Sequence, residues 1–183
     1  MTATPSDPMP AVFLDRDGVI NVPVVTDGKP FPPATLADFR IIDGVAAAIV
    51  AFRDAGYRII VATNQPDVAT GKQDQAVVEA MHEKLKSELG VDDILVCYHT
   101  DEHACPCRKP KPGMLMEAQR KWNLDLTGSV MVGDRWRDIE AGQAVGCRTV
   151  FIDYGYAEKR PAAPDFIVKS LAESVALILP NHS

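Results

Sequence analysis

The chain has 183 residues, of which 46% are hydrophobic and 24% are charged, a composition typical of one globular domain. Its net charge of −6 at pH 7 argues against a nucleic-acid-binding protein, which would carry a basic surplus. No apolar run approaches the roughly 20 residues that a membrane-spanning helix needs. Residues 1–9 are polar and proline-rich, so they predict a flexible tail without signal-peptide character, ahead of a single cytoplasmic domain at 10–183.

Apolar segments along the chain predict strands that alternate with helices. The predicted strands lie at residues 11–14, 58–62, 94–97, 129–132 and 148–152, with a short edge strand at 166–168. The predicted helices lie at residues 45–55, 73–89, 113–122, 138–145 and 171–179. The segment 21–35 is rich in proline and glycine and is predicted to be a long loop. The alternation indicates an α/β fold, a doubly wound parallel sheet with helices on both faces.

Polar residues follow the predicted strands at the points where the apolar runs end. Asp15 and Asp17 follow the first strand, Thr63 and Asn64 follow the second, and Asp134 comes shortly after the fourth. Ligands bind to open parallel sheets at the carboxyl ends of the strands. We therefore expect these side chains to meet at one edge of the sheet, together with the adjacent basic pair at 108–109.

Asp15 and Asp17 form an acidic turn, DRDG, that favours binding of a divalent cation. Two carboxylates this close repel each other unless a cation lies between them. Mg²⁺ prefers oxygen ligands and keeps positions for water and phosphate, and Asp134 could supply a third carboxylate. Taken alone, the turn is also compatible with a capping role and no metal.

Thr63, Asn64, Arg108 and Lys109 carry groups suited to binding phosphate. A hydroxyl and an amide can donate hydrogen bonds, while a guanidinium and an ammonium group match phosphate oxygens. Each of these residues, taken alone, is also compatible with an ordinary polar surface. Combined with an ionised aspartate, which can attack phosphorus without a base, they indicate phosphoryl transfer.

Three of the four cysteines lie in one loop with the spacing C-x-H-x₅-C-x-C, which offers Cys97, His99, Cys105 and Cys107 as ligands. Residues two apart in extended chain point the same way, so two arms could each present two ligands to one ion. Three thiolates and an imidazole suit a structural Zn²⁺ site without an open position. The alternatives are reduced, unliganded cysteines or a disulfide, which is disfavoured in a reducing compartment.

Four motifs resemble, in order, those of the haloacid dehalogenase (HAD) superfamily of phosphatases. They are DRDGV at 15–19, the threonine that closes IIVAT at 63, the lysine at 109 and GDRWRD at 133–138. The finer wording, FLDRDGVIN, TNQ and C-x-H…C-x-CRKPKPGM, resembles the histidinol-phosphatase subgroup, HAD-IIIA. The resemblance implies a Rossmann-like core with a zinc-binding loop at 97–107. We expect no cap domain, because the intervals from Asp17 to Thr63 and from Thr63 to Lys109 are already filled by predicted helices, a strand and loops.

The resemblance also implies a role for each motif residue. Asp15 would be the nucleophile and Asp17 the general acid and base. Asp15, the backbone carbonyl of Asp17 and Asp134 would hold a catalytic Mg²⁺. Thr63 and Lys109 would hold the transferring phosphoryl group.

The implied substrate is a small sugar phosphate monoester, D-glycero-D-manno-heptose 1,7-bisphosphate losing its 7-phosphate, with histidinol phosphate as the alternative. Arg108 would recognise the rest of the substrate. The other residues expected to line the pocket lie in loops near the strand ends: Arg16, Pro23, Val24, Val25, Thr26, Asn64, Gln65, Pro66 and Arg135. We expect a monomer that binds a small phosphorylated metabolite and neither nucleic acid nor membrane. A non-catalytic zinc-binding interaction module is the alternative from another class.

Overall fold

The computed structural model of the protein describes residues 7–179, so most of the tail predicted at 1–9 lies outside the described part of the chain. Met9, the last residue of that predicted tail, is bound to the rest of the domain through both its amide and its carbonyl group. It donates to the Asn123 carbonyl at 3.2 Å and accepts from the Asp125 amide at 2.9 Å. Within residues 7–179, no helix is long and apolar enough to cross a membrane.

Six strands form one parallel sheet, which confirms the predicted doubly wound α/β fold. With the two strands of a separate hairpin, β2 and β3, the strands in chain order are β1 Ala11–Leu14, β2 Val24–Thr26, β3 Lys29–Phe31, β4 Arg58–Asn64, β5 Asp93–Cys97, β6 Val130–Gly133, β7 Arg148–Ile152 and β8 Phe166–Val168. The sheet order is β5-β4-β1-β6-β7-β8, and every neighbouring pair is parallel. The helices are α1 Val45–Asp54, α2 Gln75–Leu89, α3 Gly113–Trp122, α4 Trp136–Gln143 and α5 Leu171–Ile178.

The segment 21–35, predicted to be a loop, contains the antiparallel hairpin of β2 and β3, so that prediction is wrong in part. The turn is Asp27-Gly28, with φ of 51° and 72°. An Asp-Gly pair with two positive φ angles suits the two-residue turn that matches strand twist. Both strands are three residues long and mostly exposed, so they carry no apolar alternation from which the hairpin could be recognised.

The central strand β1 is completely buried, because helices cover both faces of the sheet. Alternate side chains enter two separate cores. On one face Val12 and Leu14 pack in a core shared with α1, α2 and α5. On the other face Ala11 and Phe13 pack in a core shared with α3. The backbone that leads to Asp15 is therefore held on all sides.

The register of the central strands aligns their carboxyl ends. Leu14 pairs with Val61 on one side and with Val132 on the other. Asp15 follows Leu14 directly, and Thr63 and Asp134 each come two residues after the partner of Leu14. The three segments predicted to carry the chemistry thus reach the same edge of the sheet at the same level.

Candidate active site

Three carboxylates lie together at this edge, those of Asp15, Asp134 and Asp138. One oxygen from each lies within 4.8 Å of the others, and all three residues are buried. Among residues 7–179 neither carboxylate oxygen of Asp134 makes a close hydrogen bond, although the Tyr156 hydroxyl lies near enough to lower the pKa of Asp134. Like charges this close in a buried site repel, so the cluster requires positive charge.

Lys109 supplies part of that charge from inside the cluster. It is 1% exposed, and its Nζ lies 3.0 Å from Asp15 Oδ1 and 2.5 Å from Asp138 Oδ1. The same Nζ also donates to the Ala62 carbonyl at 2.6 Å. Burial favours the neutral amine, but the adjacent carboxylates of Asp138 and Asp15 raise the pKa of Lys109 above its ordinary value. The side chain is therefore a fixed cation.

One lysine does not balance three carboxylates. Burial, opposed by Lys109, together with the charges of Asp138 and Asp17 raises the pKa of Asp15 to about 6. Burial and the charges of Asp15 and Asp138 raise the pKa of Asp134 well above its ordinary value. These shifts indicate that the protein alone does not satisfy the cluster.

The cluster fits a hard divalent cation. Its donors are carboxylate oxygens, which Mg²⁺ prefers, and the Asp134 oxygens make no close hydrogen bond within residues 7–179. Gly18, with φ of 85°, leaves Asp134 its space, because a Cβ at this position would overlap the Asp134 carboxylate. Only glycine combines that backbone conformation with that close approach.

The Asp17 carboxylate is not part of the cluster and lines the cleft above it. Three side chains donate to it: Arg16, Asn21 and Gln65. Gln65 also donates to the Thr63 hydroxyl oxygen at 2.9 Å, which links the second and first motifs. Arg16 and Gln65, both predicted to line the pocket, are buried beneath its floor.

A cleft of about 280 Å³ opens above the cluster. Of the residues predicted to bind substrate, Asn64, Pro66, Arg108 and Arg135 line it. The segment 23–26 does not lie among the lining residues. Its place is taken by the second strand of the hairpin and the residues after it, 29–32. The hairpin thus forms one wall of the cleft through the strand opposite to the one predicted.

Three arginines surround the cleft, and each has an acidic partner. Arg108 donates to Asp101 at 2.8 Å, and Arg137 donates to both oxygens of Asp101 at 3.1 Å. Arg135 pairs with Glu158, which also lines the cleft. These pairs orient the guanidinium groups at the rim without burying them completely.

Two residues of the GDRWRD motif, Arg137 and Asp138, were missed as site residues. The Asp138 carboxylate also accepts from the Arg135 amide at 3.0 Å, so it caps α4 as well as binding Lys109. An aspartate at the third helical position is a capping signal visible in the sequence. That signal predicts the start of α4 at Trp136 rather than at Asp138, where the helix was placed from apolar spacing.

Asn64 fixes the backbone of Lys109 from the end of β4. Its amide nitrogen donates to the Lys109 carbonyl at 3.0 Å, and its amide oxygen accepts from the Lys109 amide at 3.1 Å. This reciprocal pair joins two segments 45 residues apart. Asn64 therefore has a structural contact at the position where a phosphate ligand was predicted.

The four predicted zinc ligands come together and could hold a metal ion. The Sγ atom of Cys107 lies 3.1 Å from that of Cys97 and 3.2 Å from that of Cys105, and His99 Nδ1 lies 3.4 Å from Cys107. A disulfide would need about 2.05 Å, so that alternative is wrong for this loop, where the cysteines are free. Tetrahedral ligands about 2.3 Å from an ion stand about 3.8 Å apart, close to this arrangement.

Comparisons with known proteins identify the family of this chain. A family model described as HAD-hydrolase-like matches residues 106–174. A protein of Pseudomonas aeruginosa described as D-glycero-beta-D-manno-heptose-1,7-bisphosphate 7-phosphatase is 40% identical over 151 residues, 79% of this chain and 81% of that protein. A protein of Photorhabdus laumondii with the same description is 36% identical and covers 90% of this chain and 93% of its own length.

Solved structures give the same result. The D,D-heptose 1,7-bisphosphate phosphatase of B. bronchiseptica, crystallised with magnesium and phosphate, has a TM-score of 0.76 and 30% identity. The similarity covers 93% of this chain and 98% of that chain. A HAD-like phosphatase of Mesorhizobium loti has a TM-score of 0.72 and 30% identity, over 97% of this chain and 91% of that one.

The Lys109 contact gives a prediction for stability. Replacing Asp138 by Ala removes a buried carboxylate 2.5 Å from Lys109 and the acceptor of the Arg135 amide. We expect the free energy of unfolding, measured by urea denaturation, to fall by less than the roughly 3–5 kcal/mol typical of a buried charge that loses its only partner, because Asp15 still contacts Lys109. Glu83→Ala, which breaks an exposed ion pair on α2, is the control and should change stability little. An Asp138→Ala protein as stable as the wild type would contradict this role of the contact.

Proposed function

The chain belongs to the haloacid-dehalogenase-like family of phosphatases, and on this premise we propose that it removes the 7-phosphate of D-glycero-D-manno-heptose 1,7-bisphosphate. The observation that carries the proposal is the buried cluster of Asp15, Asp134 and Asp138 around Lys109, at the floor of a cleft with an arginine rim. Relatives described as enzymes for this substrate match 79% and 90% of the chain.

Asp15 is the proposed nucleophile. Its carboxylate lies at the end of a fully buried strand and lines the cleft, so it is both fixed and accessible. Lys109, 3.0 Å from one of its oxygens, favours the ionised form that attacks phosphorus. Attack forms an aspartyl-phosphate at Asp15 and releases the sugar oxygen.

Asp15, Asp134 and the backbone carbonyl of Asp17 would hold Mg²⁺, with Asp138 beside them. When bound, Mg²⁺ neutralises the carboxylates and the charge on the phosphoryl oxygens. Lys109 contributes a second positive charge to the same oxygens. The Thr63 hydroxyl accepts from Gln65, which leaves its hydrogen to donate to the phosphoryl group.

Asp17 is the proposed proton donor and acceptor. Its carboxylate faces the cleft and is held by Arg16, Asn21 and Gln65. In the first step it gives a proton to the departing sugar oxygen. In the second step it takes a proton from the water that attacks the aspartyl-phosphate.

The arginine rim favours a substrate with a second anionic group. Arg108, Arg135 and Arg137 line the cleft, and guanidinium groups bind phosphate oxygens in pairs. A bisphosphate presents such a group beyond the one that is transferred. Histidinol phosphate instead presents a cationic amine, which cannot accept hydrogen bonds from these guanidinium groups. Arg137 is an addition to the substrate-binding residues expected from the sequence.

We propose that Zn²⁺ binds to Cys97, His99, Cys105 and Cys107. Three thiolates and an imidazole within 4.8 Å of one another match a closed, structural zinc site. Cys107 directly precedes Arg108, and Arg108 also donates to the His99 carbonyl at 3.1 Å. The ion would therefore fix the loop that carries Arg108 and Lys109.

The proposed function predicts which substrate is turned over and by which residue. Wild-type protein with Mg²⁺ should release phosphate from heptose 1,7-bisphosphate with a higher kcat/KM than from histidinol phosphate. Asp15→Asn should lower kcat by more than about 10³-fold, because it removes the nucleophile. Circular dichroism would show whether the variant is folded. A folded Asp15→Asn variant with wild-type turnover would exclude the aspartyl-phosphate, and a preference for histidinol phosphate would exclude the proposed substrate.

The proposed zinc site predicts a linked loss of metal and activity. Cys107→Ala removes one of four ligands, so bound zinc should fall well below one ion per chain and kcat should fall as Arg108 and Lys109 lose their support. Cys147→Ala, at a buried thiol outside the cluster, is the matched control and should keep its zinc. Metal content by mass spectrometry and phosphate release would be measured together. Normal zinc and normal turnover in Cys107→Ala would refute the zinc site.

A further inference from the structure

The position of the Asp17 carboxylate depends on a side chain that is completely buried. Arg16 Nη2 lies 3.1 Å and 2.9 Å from the two carboxylate oxygens of Asp17. Asn21 donates to one of these oxygens at 2.9 Å, and Gln65 donates to the other at 2.8 Å. Each oxygen therefore accepts two hydrogen bonds. Of the three donor groups, Arg16 is the one that contacts both oxygens.

Arg16 is 0% exposed, so its own orientation must be fixed by protein atoms. Its guanidinium carbon lies 5.9 Å from the centre of the Phe39 ring, a face contact that leaves rotation in the plane free. Its Nε has no hydrogen-bond partner in the described chain. The polar contact that sets its angle, apart from Asp17 itself, is made by Nη1, which lies 3.2 Å from His82 Nε2.

His82 must accept this hydrogen bond. A guanidinium group only donates, so Nε2 carries no proton and the hydrogen of the neutral ring lies on Nδ1. His82 is itself buried on α2. Burial and the adjacent Arg16 lower the pKa of His82 to about 4, an effect increased by Lys86 and opposed by Asp17 and Glu83. The ring therefore stays neutral and remains an acceptor at neutral pH.

We propose that His82 is a positioning residue for Asp17, acting through Arg16. By accepting from one amino group of Arg16, it fixes the angle of the guanidinium plane, and the other amino group then holds the Asp17 carboxylate at the cleft. This inference rests on the proposed function, in which Asp17 gives a proton to the departing oxygen. It assigns to α2, which contributes no residue to the cleft lining, a part in the proton-transfer step.

The consequence is a dependence on the leaving group. A sugar oxygen leaves poorly unless it receives a proton, so its departure depends on the exact position of Asp17. The p-nitrophenolate ion is stable and leaves without a proton. Loss of the His82 acceptor should therefore lower kcat/KM for a sugar phosphate and leave kcat/KM for p-nitrophenyl phosphate nearly unchanged. This quantity covers the steps up to departure of the leaving group and not the later attack of water, in which Asp17 also takes part for both substrates. A loss of folding or of metal binding would lower both rates together.

The test compares kcat/KM for heptose 1,7-bisphosphate and for p-nitrophenyl phosphate in His82 variants. His82→Leu removes the acceptor, and kcat/KM for the sugar phosphate should fall by an order of magnitude or more, about the effect of a misplaced catalytic group. His82→Gln keeps an acceptor oxygen and should recover most of that loss. Met81→Leu, at the buried neighbour on α2, is the control and should leave the ratio of the two kcat/KM values unchanged. If His82→Leu does not fold, His82→Met gives the same comparison.

The same His82 substitution in an Arg16→Met protein distinguishes an effect that Arg16 transmits from a direct effect of His82 on the active site. In Arg16→Met protein the His82→Leu substitution should change the ratio no further, because the residue that transmits the effect is gone. Equal losses for both substrates in His82→Leu, no loss in either, a full additional effect in the Arg16→Met background, or no recovery with Gln would each overturn the proposal.

Asp17→Asn distinguishes this inference from the proposed function. If the wild-type protein turns over both substrates and Asp17→Asn loses kcat/KM selectively for the sugar phosphate, the role of Asp17 is supported. If that pattern is present and the His82 variants lack it, the inference alone fails. If Asp17→Asn lowers kcat/KM equally for both substrates, the role of Asp17 as proton donor to the departing oxygen fails, and the inference fails with it.

Discussion

Lys109 lies buried between the carboxylates of Asp15 and Asp138, and the rest of the site depends on this contact. A buried ammonium group needs carboxylates around it, and buried carboxylates need the ammonium group, so neither is stable without the other. The contact joins the end of β1 to the first turn of α4. Three carboxylates still exceed one lysine, and this remaining negative charge is what makes the edge of the sheet a site for a divalent cation.

The elements outside the sheet hold this contact in place. Asn64 fixes the Lys109 backbone through two hydrogen bonds, and the cysteine loop ends one residue before Arg108. Asp101 from the same loop orients Arg108 and Arg137 at the rim. The cysteine loop has no proposed catalytic residue, but it positions both Lys109 at the floor of the cleft and the arginines at its entrance. On the opposite side, α2 reaches Asp17 through Arg16.

The sequence was sufficient for the sheet and for the residues at its strand ends, because strands buried on both faces are continuous apolar runs with abrupt polar ends. It was insufficient where a contact depends on tertiary structure. Asp138 lies on a helix, and nothing in its own segment shows that Lys109 approaches it. Arg16 was expected to line the pocket, yet it is buried against Asp17 and His82. The hairpin was missed because its short, exposed strands have no apolar pattern, although the Asp27-Gly28 turn was a usable signal.

The central claim is that the carboxylate cluster is completed by a divalent cation. The most direct measurement is the free energy of unfolding as Mg²⁺ is added, in wild-type protein and in Asp134→Asn. We expect Mg²⁺ at about 100 times its Kd to stabilise the wild type by about 2.7 kcal/mol. Asp134→Asn should gain much less, and without Mg²⁺ it should be at least as stable as the wild type, because it removes a carboxyl group whose ionisation is unfavourable in a buried site beside Asp15 and Asp138. A wild type that does not respond to Mg²⁺, or an Asp134→Asn variant that responds equally, would contradict the claim.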